Sequence, residues 1–280
     1  PLGLRNSDSE SEKDLEIVLG EQSTRIRVVD SGPREGLALV FLHGWGSSSH
    51  LMRSLSGPLS AEFRSISIDF PGHGKSPNPP RALGVPEHVS LVREVLNQCE
   101  VTHFALIGHS NGGRVSLQLA SESGQDLRPA FLALVSPSGI RRKRSWKYYG
   151  KVWAARILKA PFNVLPPRAK EFGLDWLRHS LVWRLLGSSD YRALSGVMRE
   201  TFVHTVNHYV TDRLSHVSCP VLVYWGSNDD AINRQQMDEL TKALPDGGLF
   251  VLEGAGHFSH LNQPDVIING VRTLAKTMSP

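Results

Sequence analysis

Phe104-Ala105-Leu106-Ile107-Gly108-His109-Ser110-Asn111-Gly112-Gly113 is the stretch on which the fold turns. An apolar run of strand length passes without a linker into a glycine-flanked serine, and a helical pattern follows over Ser110 to Ser121. A serine held on a strained strand-to-helix turn brings the residues two positions before and after it against each other, so only small side chains fit there. Gly108 and Gly112 meet that need. The same turn sets the serine at a helix N-terminus, where unpaired N–H groups favour developing negative charge.

Strand and helix signals alternate on both sides. Leu15 to Leu19 and Thr24 to Val29 alternate with period two around a turn at Gly20 to Ser23, the pattern of a hairpin. Leu37 to Leu42 is a continuous apolar run, as a strand covered on both faces requires. Ile66 to Phe70 reads as a strand, Pro86 to Cys99 as a helix and Ala130 to Val135 as a strand. After a long interruption come strand Val221 to Trp225, helix Asn233 to Leu244, strand Leu249 to Leu252 and a last helix near Gln263 to Thr277. This alternation predicts an α/β fold with a doubly wound, mostly parallel sheet. The interruption, 138–216, carries aromatic and aliphatic residues at helical spacing, broken by Pro161, Pro166 and Pro167, and reads as a helical lid inserted between sheet strands. The core is therefore expected over 15–137 and 217–280. Residues 1–14 read as a disordered tail in which Pro1-Leu2-Gly3 looks like the remnant of a cleaved tag.

A serine hydroxyl is a poor nucleophile at neutral pH; it needs a base, and the base needs an orienting acid. Strand Val221 to Trp225 runs into Gly226-Ser227-Asn228-Asp229-Asp230, and strand Leu249 to Leu252 into Gly254-Ala255-Gly256-His257. Both loops follow predicted strands, in the order Ser, Asp, His. Asp69, also at a strand end, is a further carboxylate; fixing the loop after it is the reading preferred for it.

With these motifs in order, the chain resembles the α/β-hydrolase fold family from about Leu15 to the C-terminus, in its serine-nucleophile, lidded branch of esterases and C–C hydrolases. His43-Gly44-Trp45-Gly46 is similar to the family's oxyanion loop, and Asp69 to Ser76 to its DxxGxGxS segment. Gly226 to Asp229 is similar to its acid turn, and Gly256-His257 to its histidine loop. The resemblance implies Ser110 as nucleophile, His257 as base and Asp229 as acid, with Asp230 the alternative one step out of register. It implies backbone N–H groups of Trp45 and Asn111 as oxyanion donors. His43 and His109 are expected to be satisfied structural histidines, and His260 is a competitor for the base. Hydrolysis of a carboxylic ester or related acyl bond is the activity implied, on a partly apolar small-molecule substrate. C–C bond, lactone and thioester hydrolysis stay open, although the C–C branch commonly carries tryptophan after the base, where this chain has Phe258. A ligand-binding receptor that keeps the fold is the reading from another class.

Composition narrows the field. With 40% hydrophobic and 21% charged residues, the 280-residue chain has the balance of a packed globular protein, which excludes disordered and collagen-like classes. No apolar run reaches the roughly 18 residues of a membrane-spanning helix. Cys99 and Cys219 lie in no metal-ligand spacing and read as reduced buried thiols, in keeping with a cytoplasmic setting. Neither HExxH, paired CxxC nor a Walker loop occurs, so no metal or organic cofactor is expected. The net charge is +4, unevenly spread: Leu127 to Lys170 holds eleven Lys or Arg and no Asp or Glu. Its basic, aromatic part, 141–151, reads as a solvated helix face with weak membrane-surface contact as the alternative; nucleic acid is not expected. Trp146, Trp153, Trp176 and Trp183 are candidates to line an acyl pocket.

Overall fold

The computed structural model describes residues 10–122, 127–141 and 196–278, with single positions at 150, 153, 157, 160, 161, 166 and 194 between them. Its sheet has eight strands: β1 (Ser11–Leu19), β2 (Gln22–Ser31), β3 (Ala38–Leu42), β4 (Arg64–Ile68), β5 (Phe104–His109), β6 (Leu132–Val135), β7 (Val221–Gly226) and β8 (Gly247–Leu252). They lie in the order β1-β2-β4-β3-β5-β6-β7-β8. β1 pairs antiparallel with β2, and β2 with β4; every other pairing is parallel. The described helices are α1 (Ser49–Leu59), α2 (Val85–Gln98), α3 (Asn111–Ser121), α4 (Gly196–Val206), α5 (Arg234–Ala243), α6 (Ser259–Asn262) and α7 (Pro264–Met278), with a 3₁₀ turn at Thr211–His216 before β7.

Strand alternation sorts the core into two layers. Ala38, Val40 and Leu42 of β3 pack with Phe104 and Leu106 of β5 on the face covered by α2, α3 and α5. Leu39 and Phe41 pack with Ala105 and Ile107 on the other face, under Met52, Leu55 and Leu59 of α1 and Ile267, Ile268 and Val271 of α7. This is the two-sided burial that the unbroken apolar runs require. The chain goes from β3 outward to β4 and returns to β5 on β3's other side. The carboxyl ends of β3 and β5 therefore flank the point where winding direction reverses, the crevice in which open α/β sheets hold ligands.

Two parts of the sequence reading change. β1 begins at Ser11, so Ser11 to Asp14 belong to the sheet and not to a tail. Their polar side chains alternate with exposure because β1 is an edge strand whose partners are charged: Arg27 bonds Glu12 and Asp14, and Lys13 reaches Asp30. Helix α1 was not foreseen, since serines, Gly57 and Pro58 mask its apolar stripe. Of the basic stretch only Arg141 and Gly150 are described, and Trp146, Trp176 and Trp183 lie outside the described residues. Trp153 is described and is 67% exposed, on the surface instead of in a pocket. Among the described residues no helix is long and apolar enough to cross a membrane, and both cysteines are buried and free.

Asp30 ties the antiparallel edge to the parallel body. Its buried carboxylate takes a two-point contact from Arg64, at 3.1 Å from Nε and 2.9 Å from Nη2, and Lys13 and Arg34 also reach it. Burial pushes this carboxyl upward, but hydrogen bonds and charge from Arg64 and Arg34 outweigh it and hold the pKa below the ordinary value. Asp30→Ala strands the Arg64 guanidinium in the interior and is expected to cost about 3–5 kcal/mol in chemical denaturation. Because the folded value is depressed, Asp30's contribution is complete above the unfolded pKa of about 3.9 and is lost as pH falls through the folded value. Wild type should therefore lose more stability on acidification than the variant; parallel curves would contradict this.

Candidate active site

Each candidate residue stands just past the carboxyl end of a strand. Ser110 follows β5 with φ +49° and ψ −107°, in the sparsely populated region expected of a strained turn. A Cβ on Gly108 would come within 2.7 Å of Gly112 backbone, and one on Gly112 within 2.0 Å of the Leu42 carbonyl oxygen. The two glycines thus let the turn close and let α3 approach β3. The loop after β3 is as tight against the serine: a Cβ on Gly44 would lie 3.1 Å from Ser110 Cβ. The Ser110 N–H donates to the Val135 carbonyl at 3.0 Å. Among the described residues, by contrast, the N–H groups of Trp45 and Asn111 donate to no other group.

Asp229 follows β7 and His257 follows β8. His257 Nδ1 lies 2.9 Å from Asp229 Oδ2, while Asp229 Oδ1 accepts from the N–H groups of Ala231 and Ile232, each at 2.9 Å. Burial raises the Asp229 pKa, but the His257 contact and the Ile232 N–H more than offset it, so the carboxyl sits below its usual range and stays ionised at neutral pH. Asp230 is exposed, and the contact with His257 belongs to its neighbour. Asp69 takes the loop-fixing role: Oδ1 accepts from Ser49 N at 2.6 Å and Oδ2 from Lys75 N at 2.9 Å.

The other histidines divide. His43 is satisfied, with Nδ1 2.7 Å from the Gly44 carbonyl and Nε2 accepting from Phe70 N at 3.0 Å, and burial lowers its pKa to about 4. His109 is satisfied on one side alone: Nε2 lies 3.1 Å from the His257 carbonyl, but buried Nδ1 has no partner among the described residues. His260 is fully buried, with neither ring nitrogen hydrogen-bonded to the described residues, 4.5 Å from the His109 ring, and burial lowers its pKa to about 4. Without an acid partner, His260 forms the packing beneath the His257 loop.

Ser110 and His257 open onto one cavity of about 600 Å³, also lined by Trp45, Asn111, Phe202 and Phe258. A sequence model of the alpha/beta hydrolase fold matches residues 38–264, which spans all of these positions. This chain belongs to the α/β-hydrolase fold family. It is a hydrolase. The putative 2-succinyl-6-hydroxy-2,4-cyclohexadiene-1-carboxylate synthase of Bacillus subtilis is 28% identical over 262 residues, covering 86% of this chain and 90% of its own. Esterase YbfF of Escherichia coli is 22% identical over 240 residues, covering 84% and 91%. The solved structure of 2-hydroxy-6-oxo-6-phenylhexa-2,4-dienoate hydrolase from Rhodococcus sp. shares the fold, with a TM-score of 0.68 at 21% identity over 96% of this chain and 100% of that one.

In this α/β-hydrolase the far wall of the cavity comes from α4, which sequence reasoning had not singled out. Its Phe202 ring meets Trp45 edge-on at 5.1 Å, and Thr201 Oγ1 accepts from Leu83 N at 3.1 Å, fastening α4 to the body. Thr205 and Val206 line the cavity beside Phe202. Arg114 was missed too. It sits one turn after Ser110 on α3, is 6% exposed and lines the same cavity. It shares its helical face with Asn111, Gln118 and Ser121, so the sequence carried no signal that set it apart.

Proposed function

We propose that the protein cleaves a carboxylic ester or related acyl bond, with Ser110 as nucleophile, His257 as general base and Asp229 as the acid that orients the histidine. The observation that carries this reading is the 2.9 Å contact between Asp229 Oδ2 and His257 Nδ1, behind a cavity shared by His257 and Ser110. An ionised Asp229 can only accept, so the His257 proton sits on Nδ1 and the lone pair on Nε2 is left for the serine.

The reaction then runs in two halves. His257 Nε2 takes the Ser110 hydroxyl proton as Oγ bonds to the scissile carbonyl carbon, and the carbonyl electron pair moves onto oxygen. The N–H groups of Trp45 and Asn111 hold that oxyanion. Collapse expels the alcohol, which takes the proton from His257, and leaves an ester on Ser110. Water gives its proton to His257, attacks the acyl carbon and releases the acid as the proton returns to Ser110. Asp229 stabilises the imidazolium in both halves. Losing one oxyanion donor costs about 3–4 kcal/mol of transition-state stabilisation in such sites. Residues 138–216 act as the lid, a role supported by α4, whose Phe202, Thr205 and Val206 face the cavity.

The test is a panel of p-nitrophenyl esters graded by acyl length, with lactones, thioesters and a vinylogous diketone. Saturable turnover of esters or thioesters is expected; turnover of the diketone alone would replace acyl hydrolysis by C–C hydrolysis. Tight binding with no turnover of any member would favour a receptor.

A further inference from the structure

Arg114 is a buried cation that the acyl chemistry above does not use. Nη1 donates to the Thr205 carbonyl, while Nε is buried and, among the described residues, has no hydrogen-bond partner. Among the described residues no carboxylate forms an ion pair with it. Burial lowers its pKa to about 10, which still leaves it charged at neutral pH. The fold makes room for this side chain: Gly139, at φ +99°, would place a Cβ 2.9 Å from Arg114 Cγ and 3.2 Å from Nε. A buried charge is costly unless a partner is supplied. The Nη1 bond leaves the edge made by Nε and Nη2, the side of the guanidinium fork that matches a carboxylate. Arg114 also lines the same cavity as Ser110, one helical turn after it. The sequence from Leu127 to Lys170, with eleven cationic residues and no acidic one, has the charge to draw anions in.

We propose that Arg114 is a specificity-determining residue that pairs with a carboxylate on the substrate, so that the preferred substrates are esters or related acyl compounds carrying a free acid close to the scissile carbonyl. This rests on Ser110 being the nucleophile. The experiment compares p-nitrophenyl hemisuccinate, hemiglutarate and hemiadipate with their methyl esters, after subtracting spontaneous hydrolysis, in wild type, Arg114→Met and Arg114→Lys. The expected result is a preference of roughly 30-fold or more in kcat/KM for at least one acid over its methyl ester in wild type. That ratio should fall toward one in Arg114→Met and recover in part in Arg114→Lys. A wild type that turns over the methyl esters with no preference for any acid overturns the proposal whether or not the variants fold; so does a preference that persists in Arg114→Met. Calorimetry of the same acids on Ser110→Ala separates the two readings. Binding of an acid, lost on adding Arg114→Met, with no wild-type turnover of either ester form would keep Arg114 and end the hydrolase reading. Turnover of methyl esters with no binding or preference for the acids would do the reverse.

Discussion

Replacing Ser110 by alanine is expected to lower kcat for any good ester substrate by about 10⁴- to 10⁶-fold, and His257→Ala to cost nearly as much. The reason is that the two groups make one nucleophile: without the imidazole the hydroxyl is un-ionised, and without the hydroxyl the imidazole has nothing to activate. The double variant should therefore be little worse than either single one, keeping the residual rate that substrate positioning and oxyanion donors supply. The Ser110 hydroxyl forms no hydrogen bond to the described residues, so removing it should move the thermal midpoint by at most a few degrees. Steady-state kinetics on the four proteins check this. Losses that add, or a single variant with near wild-type turnover, would contradict it.

Asp229→Asn is expected to lower kcat by about 10⁴-fold while leaving the fold in place. The amide oxygen can still accept from Ala231 and Ile232, as Asp229 Oδ1 does now. That fixes the amide nitrogen toward His257 Nδ1, where the carboxylate oxygen stood. A donor there demands that Nδ1 accept, so the ring proton moves to Nε2 and the histidine can no longer take one from serine. The loss should appear in kcat with KM nearly constant, because Asp229 lies behind the histidine. Asp230→Asn, on an exposed side chain, should change kcat by less than about threefold. Equal losses from the two substitutions would show that the acid has been misassigned.

Much of this was legible in the chain because the determinants are local. The strand run before Ser110 and the glycines two residues away from it are steric requirements written in sequence, and the structure meets them at Gly108 and Gly112. Asp229 and His257 were found because each loop follows an apolar run, but their contact depends on β7 and β8 being neighbours, which no local signal states. What was misread depended on partners far away. Ser11 to Asp14 look like a solvated tail until Arg27 and Lys75 supply their countercharges. Helix α1 carries Met52, Leu55 and Leu59 at helical spacing, yet the intervening Ser54, Ser56, Gly57 and Pro58 dilute it, and only the sheet face it covers explains it. His109 looked like a satisfied histidine; its Nδ1 has no partner among the described residues, and the rings of His260 and Phe258 pack within about 5 Å of its own. Arg114 was hidden among the polar positions of α3, since nothing in a single helix says that a cation will be enclosed when α4 arrives.

Covalent capture is the sharpest probe of Ser110 as the nucleophile. The folded protein is treated with a serine-directed fluorophosphonate, digested, and the adduct is located by mass spectrometry. One phosphonate per chain is expected on Ser110, formed at a rate that collapses in Ser110→Ala and in His257→Ala. An adduct on any other residue, or none in protein that is folded by circular dichroism, would contradict it.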